Sequence, residues 1–335
     1  MGGEIDYMKK IKKVLASLAI AGMALTILPF NAFAENTVPT RLAGQTSAQT
    51  ALQIAEQTGW ADNAILASSA SYGMCDALTS GPLATFLKAP ILLQEPGAVL
   101  NADTRAEIVK LHVRTVYVTS GTAVISQGVL DQLKGMGIIV VALGGIDRFE
   151  TSVNIAQKMG GITNVAVANG LQDALSIASI ASASGSPILL TDKDVIPNSV
   201  RRFLETNKSI ISSDVIGGTG IISDSVKEAF PSATRHYGNT AYDTNSQVIH
   251  DFDSSLKYDN IYVANGVTGI DALAGAPLAS ITKSPIVLTD GVSVPSVAVF
   301  THSKSTANTV VTALGGEAVV PESVRIGTAT WLLMN

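Results

Sequence analysis

The sequence predicts an α/β protein built of three tandem Rossmann-like repeats, each a small parallel sheet covered by helices. Three observations predict it. Asp-Ala-Leu recurs at Asp76, Asp173 and Asp271. A proline opening an apolar run follows each Asp by 14 residues: Pro90-Ile91-Leu92-Leu93, Pro187-Ile188-Leu189-Leu190 and Pro285-Ile286-Val287-Leu288. A glycine follows each proline by 31 residues, at Gly121, Gly218 and Gly316. All three landmarks step by 97 and then 98 residues, a register that chance does not hold three times over.

The second copy gives the order of elements. Residues 151–159 have a helical composition, and 164–168 are apolar and β-branched, as in a strand. Residues 173–182 are rich in Ala, Ile and Leu behind an acid, so a helix; 187–190 form a short buried strand. Pro197 opens a helix to residue 206, where a first-turn proline is tolerated. Residues 214–217 read as a strand ending in glycine, and Ser223 caps a helix to residue 230. Continuous apolar strands alternating with helices indicate a parallel sheet covered on both faces. A Gly-containing turn precedes the first helix of each copy, at Gly44, Gly144-Gly145 and Gly238. The third copy shortens after Gly316 to a helix around Pro321 to Val324.

Before the repeats, Lys9, Lys10, Lys12 and Lys13 precede uncharged residues 14–30 and then Ala32-Phe33-Ala34. This predicts a signal peptide over 1–34, cut before Glu35. The repeats then occupy 41–145, 146–237 and 238–335. Cleavage removes four lysines and two acids, moving the net charge from −5 to −7. The expected product is secreted and acidic, with no membrane contact once the signal is gone.

Composition excludes several classes. With 47% hydrophobic and 15% charged residues, the chain can bury enough surface to fold. A single cysteine, Cys75, rules out an internal disulfide or a Cys-based zinc cluster, and four histidines are scattered. Only 5% aromatic residues and an acidic balance argue against nucleic acid. No H-E-x-x-H, G-x-S-x-G, G-x-G-x-x-G or P-loop pattern occurs. Neither catalysis nor a cofactor or metal is expected.

The candidate binding residues are few. Asp76, Asp173 and Asp271 fall between a strand end and a helix start, where an N-cap or a ligand contact is expected. Arg148, in Asp147-Arg148-Phe149-Glu150-Thr151, suits either an anionic ligand or an ion pair holding one repeat to another. Arg201 and Arg202 form a local basic cluster. The runs Pro90, Ile91, Leu92; Pro187, Ile188, Leu189; and Pro285, Ile286, Val287 read as buried strands that define the repeat.

These landmarks resemble the cell-wall-binding repeat 2 family, triple repeats of exported Gram-positive surface proteins. The resemblance runs from Arg41 to about Arg325 and is sharpest at Asp147 to Thr151 and Gly217-Gly218-Thr219. It implies three packed Rossmann-like units and non-covalent attachment to an anionic wall polymer, teichoic-acid-like or a secondary wall polysaccharide. It also implies an anchoring role for Pro-Ile-Leu-Leu, and a setting among surface-layer or wall-hydrolase proteins. The first and third copies lack the Asp-Arg pair, and Ser120 replaces the first Gly of Gly-Gly in the first. An accessory of an N-acetylmuramoyl-L-alanine amidase and an exported small-molecule-binding protein are the alternative expectations.

Overall fold

Each first helix is fixed by the same local device. Thr46, Asp147 and Thr240 accept a hydrogen bond from the backbone N–H three residues on, at Gln49, Glu150 and Asp243. The turn glycines Gly44, Gly145 and Gly238 donate their N–H to Thr50, Thr151 and Thr244 at 2.9–3.0 Å. A side chain on those glycines would collide with the helix: a Cβ on Gly238 would lie 2.4 Å from Asp243 backbone. The repeated Gly-to-Thr spacing is therefore a helix-start motif in all three copies.

The computed structural model describes residues 39–330; the signal peptide expected over 1–34 lies outside the described residues. The chain begins with β1 (Arg41–Leu42) and α1 (Ser47–Thr58). Unit 1 continues with β2 (Asn63–Ser68), α2 (Ser71–Ala77), α3 (Ser80–Leu87), β3 (Ile91–Gln94), α4 (Ala102–Lys110), β4 (Thr115–Val118), α5 (Gln127–Gly135) and β5 (Ile139–Ala142). Unit 2 has α6 (Arg148–Met159), β6 (Asn164–Ala168), α7 (Leu171–Ser184), β7 (Ile188–Leu190), α8 (Asn198–Thr206), β8 (Ser212–Ile216), α9 (Asp224–Lys227) and β9 (Ala233–His236). Unit 3 has α10 (Ala241–Asp251), β10 (Asn260–Asn265), α11 (Ile270–Thr282), β11 (Ile286–Thr289), α12 (Ala298–Lys304), β12 (Val310–Leu314) and α13 (Glu322–Thr330).

The three sheets are parallel, with strand orders β3-β2-β4-β5, β7-β6-β8-β9 and β11-β10-β12-β1. Each is a four-stranded, Rossmann-like α/β layer. The fourth strand of each sheet leads into the first helix of the following unit. The third sheet takes its fourth strand from the start of the chain, pairing Arg41 with Ala313 and Leu42 with Leu314. The three units thus close into a pseudo-threefold ring. The fourth strands are short and polar or half-exposed, and the sequence patterning above did not foresee them.

The strand period of two explains the Pro-Ile-Leu-Leu runs. Ile91, Leu93, Ile188, Leu190, Ile286 and Leu288 point into one central cluster shared by all three units. Leu92, Leu189 and Val287 point the other way, into the separate outer core of each unit. The preceding prolines need no N–H there: their carbonyls accept from Ile65, Ala166 and Tyr262 on the neighbouring strand. At the ring centre α3, α7 and α11 meet on small residues. A Cβ on Gly81 would stand 2.9 Å from Ser182 Oγ and 3.1 Å from Ala276 Cβ. Thr85 and Ser280 share a hydroxyl hydrogen bond of 2.8 Å across units 1 and 3. The first helix of each unit packs on the central helix of the unit before it, α6 on α3, α10 on α7 and α1 on α11.

Candidate functional site

Parallel sheets present their binding edge beyond the strand carboxyl ends. In this ring that edge carries the repeated Asp and the Gly-rich turn. The three aspartates are not N-caps. Gly170 and Gly269 occupy the cap positions of α7 and α11, and Asp76 lies next to the end of α2. Asp173 and Asp271 instead turn inward from the first helical turn, 7% and 5% exposed. They lie under the glycine that ends the neighbouring strand segment: a Cβ on Gly217 or Gly315 would come within 2.6 or 2.5 Å of their Oδ2 atoms. Those glycines also hold φ of 114° and 106°, a left-handed region costly to other residues. One constraint thus links the Asp and the Gly of the second and third repeats; in the first, Ser120 stands at the glycine position.

Burial pushes the Asp173 and Asp271 carboxyls up to about 6. Asp271 Oδ1 is fully buried without a hydrogen-bond partner. Burial also raises Asp76. A repeated buried acid with no countercharge is a costly feature for a fold to keep.

Arg148 opens α6 and stays within its own unit. Its Nη2 donates to Asn169 Oδ1 at 3.1 Å and stands 3.5 Å from Asp192 Oδ1, with its guanidinium 4.7 Å from the Phe149 ring centre. The inter-repeat ion pair expected from sequence is therefore corrected: Arg148 links the start of α6 to the carboxyl end of sheet 2. About a third of the side chain remains exposed. Arg201 and Arg202 are exposed on α8, whose Val200 and Phe203 belong to the outer core. Asp173 belongs to α7 on the central face. The structure thus brings Arg148 and Asp173 to one sheet edge and leaves Arg201 and Arg202 on the opposite face of that sheet. The residues of the three Pro-Ile-Leu runs are buried, with Leu92, Leu189 and Val287 0% exposed.

Four edge residues escaped sequence reasoning. Arg41 Nη1 donates to Gly315 O at 2.8 Å and pairs with Glu322. Arg235 Nη1 donates to Gly217 O at 2.7 Å and pairs with Asp224. Each stands three residues before its turn glycine, Gly44 or Gly238, which was the available signal. Asn169 and Asn265 strap the same turns by donating to Ile221 O and Val319 O. In unit 1 the equivalent Arg position is Ala142, and a cavity of about 510 Å³ opens there between residues 120–123 and 144–146. Among the described residues no group of acids, His and Cys has the arrangement of a metal site.

A three-unit ring of Rossmann-like sheets with repeated turn-rich edges defines a repeat-type binding module. The cell wall binding domain 2 (CWB2) family matches residues 41–130, 142–227 and 235–325, and the chain belongs to that family. It is 31% identical over 284 residues to the N-acetylmuramoyl-L-alanine amidase LytC of Bacillus subtilis, covering 84% of this chain and 56% of that protein. It is 36% identical over 228 residues to the amidase enhancer of the same organism, covering 67% of this chain and 31% of that protein. The fold matches Cwp6 from Clostridium difficile with a TM-score of 0.80 and 27% identity, over 87% of this chain and 47% of that one. The chain thus spans from a third to about half of the relatives it matches.

Proposed function

We propose that this chain is a non-catalytic cell-wall-binding protein that attaches without covalent bonds to an anionic secondary wall polymer at the cell surface. The observation that carries this reading is threefold repetition: one body presents three related sheet edges, two of them with an Asp buried beneath a turn glycine and the first with Asp76 half-buried and Ser120 at the glycine position. A site of ~mM affinity contributes only ~4 kcal/mol. Three linked sites on a repeating polymer gain ~10²–10⁴ in avidity. Because the chain is acidic, contact with an anionic polymer falls to local donors. Arg148 and the backbone N–H groups of the turns at 120–123, 217–219 and 315–317 fit that role. Asp76, Asp173 and Asp271 shape those turns from below. Arg201 and Arg202 would form a second, peripheral contact on the outer face of unit 2.

A second reading, an accessory of a wall amidase acting in trans, is favoured by the 36% identity to the amidase enhancer. Sedimentation with purified walls tests the first reading. Release of muropeptides with and without an added amidase tests the second. Retention on walls with no change in muropeptide release supports anchoring alone; loss of retention overturns it.

A further inference from the structure

The three units are equivalent in backbone but not in the side chains on the central face of their sheets. In unit 1, Ile65, Pro82, Tyr117 and Leu143 occupy one set of equivalent positions. In unit 3, counting its borrowed strand, the same positions hold Tyr262, Pro277, Thr312 and Leu42. Tyr117 and Tyr262 are both buried there. Unit 2 has Ala166, Ser179, Asp214 and His236 instead. Small and polar side chains replace large and apolar ones, and a cavity of about 390 Å³ opens between units 2 and 3.

A polar network reaches the cavity wall at Asn164, Ser186 and Asp214 and is held from behind by His236 and Asp251. His236, 8% exposed, bonds Asp251 Oδ2 at 2.6 Å through Nδ1 and Asp214 Oδ1 at 3.1 Å through Nε2. Asn164 Nδ2 donates to Asp214 Oδ2 at 3.0 Å and to Ser186 Oγ at 3.2 Å. Burial opposes the Asp214 charge, but the bonds from His236 and Asn164 hold its pKa below the usual carboxylate range. The fold does not need this network, since leucine serves at the His236 position in both sister units. A buried ionic cluster is often no more stable than the apolar residues it displaces.

We propose that this cavity binds a single pyranose sugar residue. Its volume lies at the lower end of the range for small-molecule pockets, ~300–1,000 Å³. Asp214 uses one lone pair on each oxygen within the protein and keeps others for sugar hydroxyls. The serine hydroxyls on α7 and Ser186 can both donate and accept, as a ring of sugar hydroxyls requires. Phe252, whose ring lies 5.0 Å from His236, offers an apolar face to the sugar C–H groups. The cavity is lined by one carboxylate, Asp214, and one ammonium, Lys283, so no net positive charge selects a phosphate or nucleotide, and a neutral polyhydroxylated ring is not repelled. The proposal deepens the wall-binding reading, on which it rests for the source of the sugar.

The test uses the full chain with glucose and N-acetylglucosamine as free monosaccharides, and glycerol as a control, followed by saturation-transfer NMR. At least one sugar should bind saturably at millimolar concentration, and glycerol should not. Ala183→Trp, on the exposed rim, plugs the cavity without touching the network and should weaken that binding at least tenfold. Asp214→Thr should do the same. A thermal melt checks that Ala183→Trp folds; Ser255→Trp, on the facing wall, replaces it if not. Binding of neither sugar, equal binding of glycerol, or sugar binding indifferent to the plug overturns the proposal. Wild-type retention on walls is read in parallel. Plug-sensitive sugar binding without wall retention sinks the wall-binding reading and leaves the pocket standing; wall retention without sugar binding does the reverse.

Discussion

Asp271 concentrates what a single residue tells about this protein. Its carboxyl, pushed up to about 6 by burial, holds a proton more tightly in the folded chain than in the unfolded one, where the value is ~3.9. Folding stability therefore rises as pH falls from about 6 toward 4, and the ionised group is a burden at neutral pH. Asp271→Asn should stabilise the chain by about 1–3 kcal/mol at pH 7.5, a gain that shrinks by pH 4.5. Thermal melts across this range check it; an unchanged difference between the two pH values would contradict the assignment. Leu189 and Leu190 give a second prediction. Both are buried, facing different cores, and each truncation to Ala costs ~2–5 kcal/mol. Leu189→Ala with Leu190→Ala should lose wall binding and melting temperature together. Arg148→Ala, whose exposed pair with Asp192 is worth ~0–1 kcal/mol, should leave the melt nearly unchanged while weakening wall binding. A double-leucine variant that melts like wild type yet fails to bind would make the run a contact surface.

The element most informative about the ring is β9, which carries His236 opposite β8. Burial works against the imidazolium, but its bonds to Asp214 and Asp251 raise the His236 pKa above its ordinary value. The stabilisation is complete below ~6.5 and is lost as pH rises through the folded value. His236→Leu strands Asp214 and should cost ~3 kcal/mol. Adding Asp214→Thr recreates the Leu42 and Thr312 pair of unit 3 and should recover most of that loss, as read by urea unfolding. If the double variant is as unstable as the single one, the network is structural rather than an addition. The repeat, the parallel sheets and the burial of Pro-Ile-Leu-Leu were legible because apolar runs at fixed spacing report the core directly. β1, β5 and β9 were not: their two or four residues alternate weakly, and pairing of Arg41 with Ala313 is set by ring closure rather than by local pattern. The aspartates misled in their detail, because an acid at a helix start signals a cap whether its side chain turns out to the N–H groups or inward beneath a glycine. The cavity depends on residues from two units and on what the sister units lack, so only superposed repeats expose it.

At the scale of the whole molecule, the ring holds three sheet edges at fixed mutual positions, which is the condition for polyvalent binding without flexible linkers. Attachment of this kind has an electrostatic component, screened beyond ~10 Å at 0.1 M salt. High salt or a mild chaotrope should therefore release the chain from walls, as followed by its appearance in the supernatant; resistance to both would indicate a covalent or lipid tether. Loss of the ring closure should weaken all three edges at once. Arg41→Ala removes bonds to Gly315 O, Val320 O and Glu322 and should lower stability by about 1–3 kcal/mol, with a matching fall in retention. The measurement closest to the central claim is equilibrium binding of the chain to purified walls before and after the secondary polymers are stripped. The account predicts saturable binding to intact walls and its loss, by at least tenfold in affinity, on stripped peptidoglycan. Equal binding to both would contradict it.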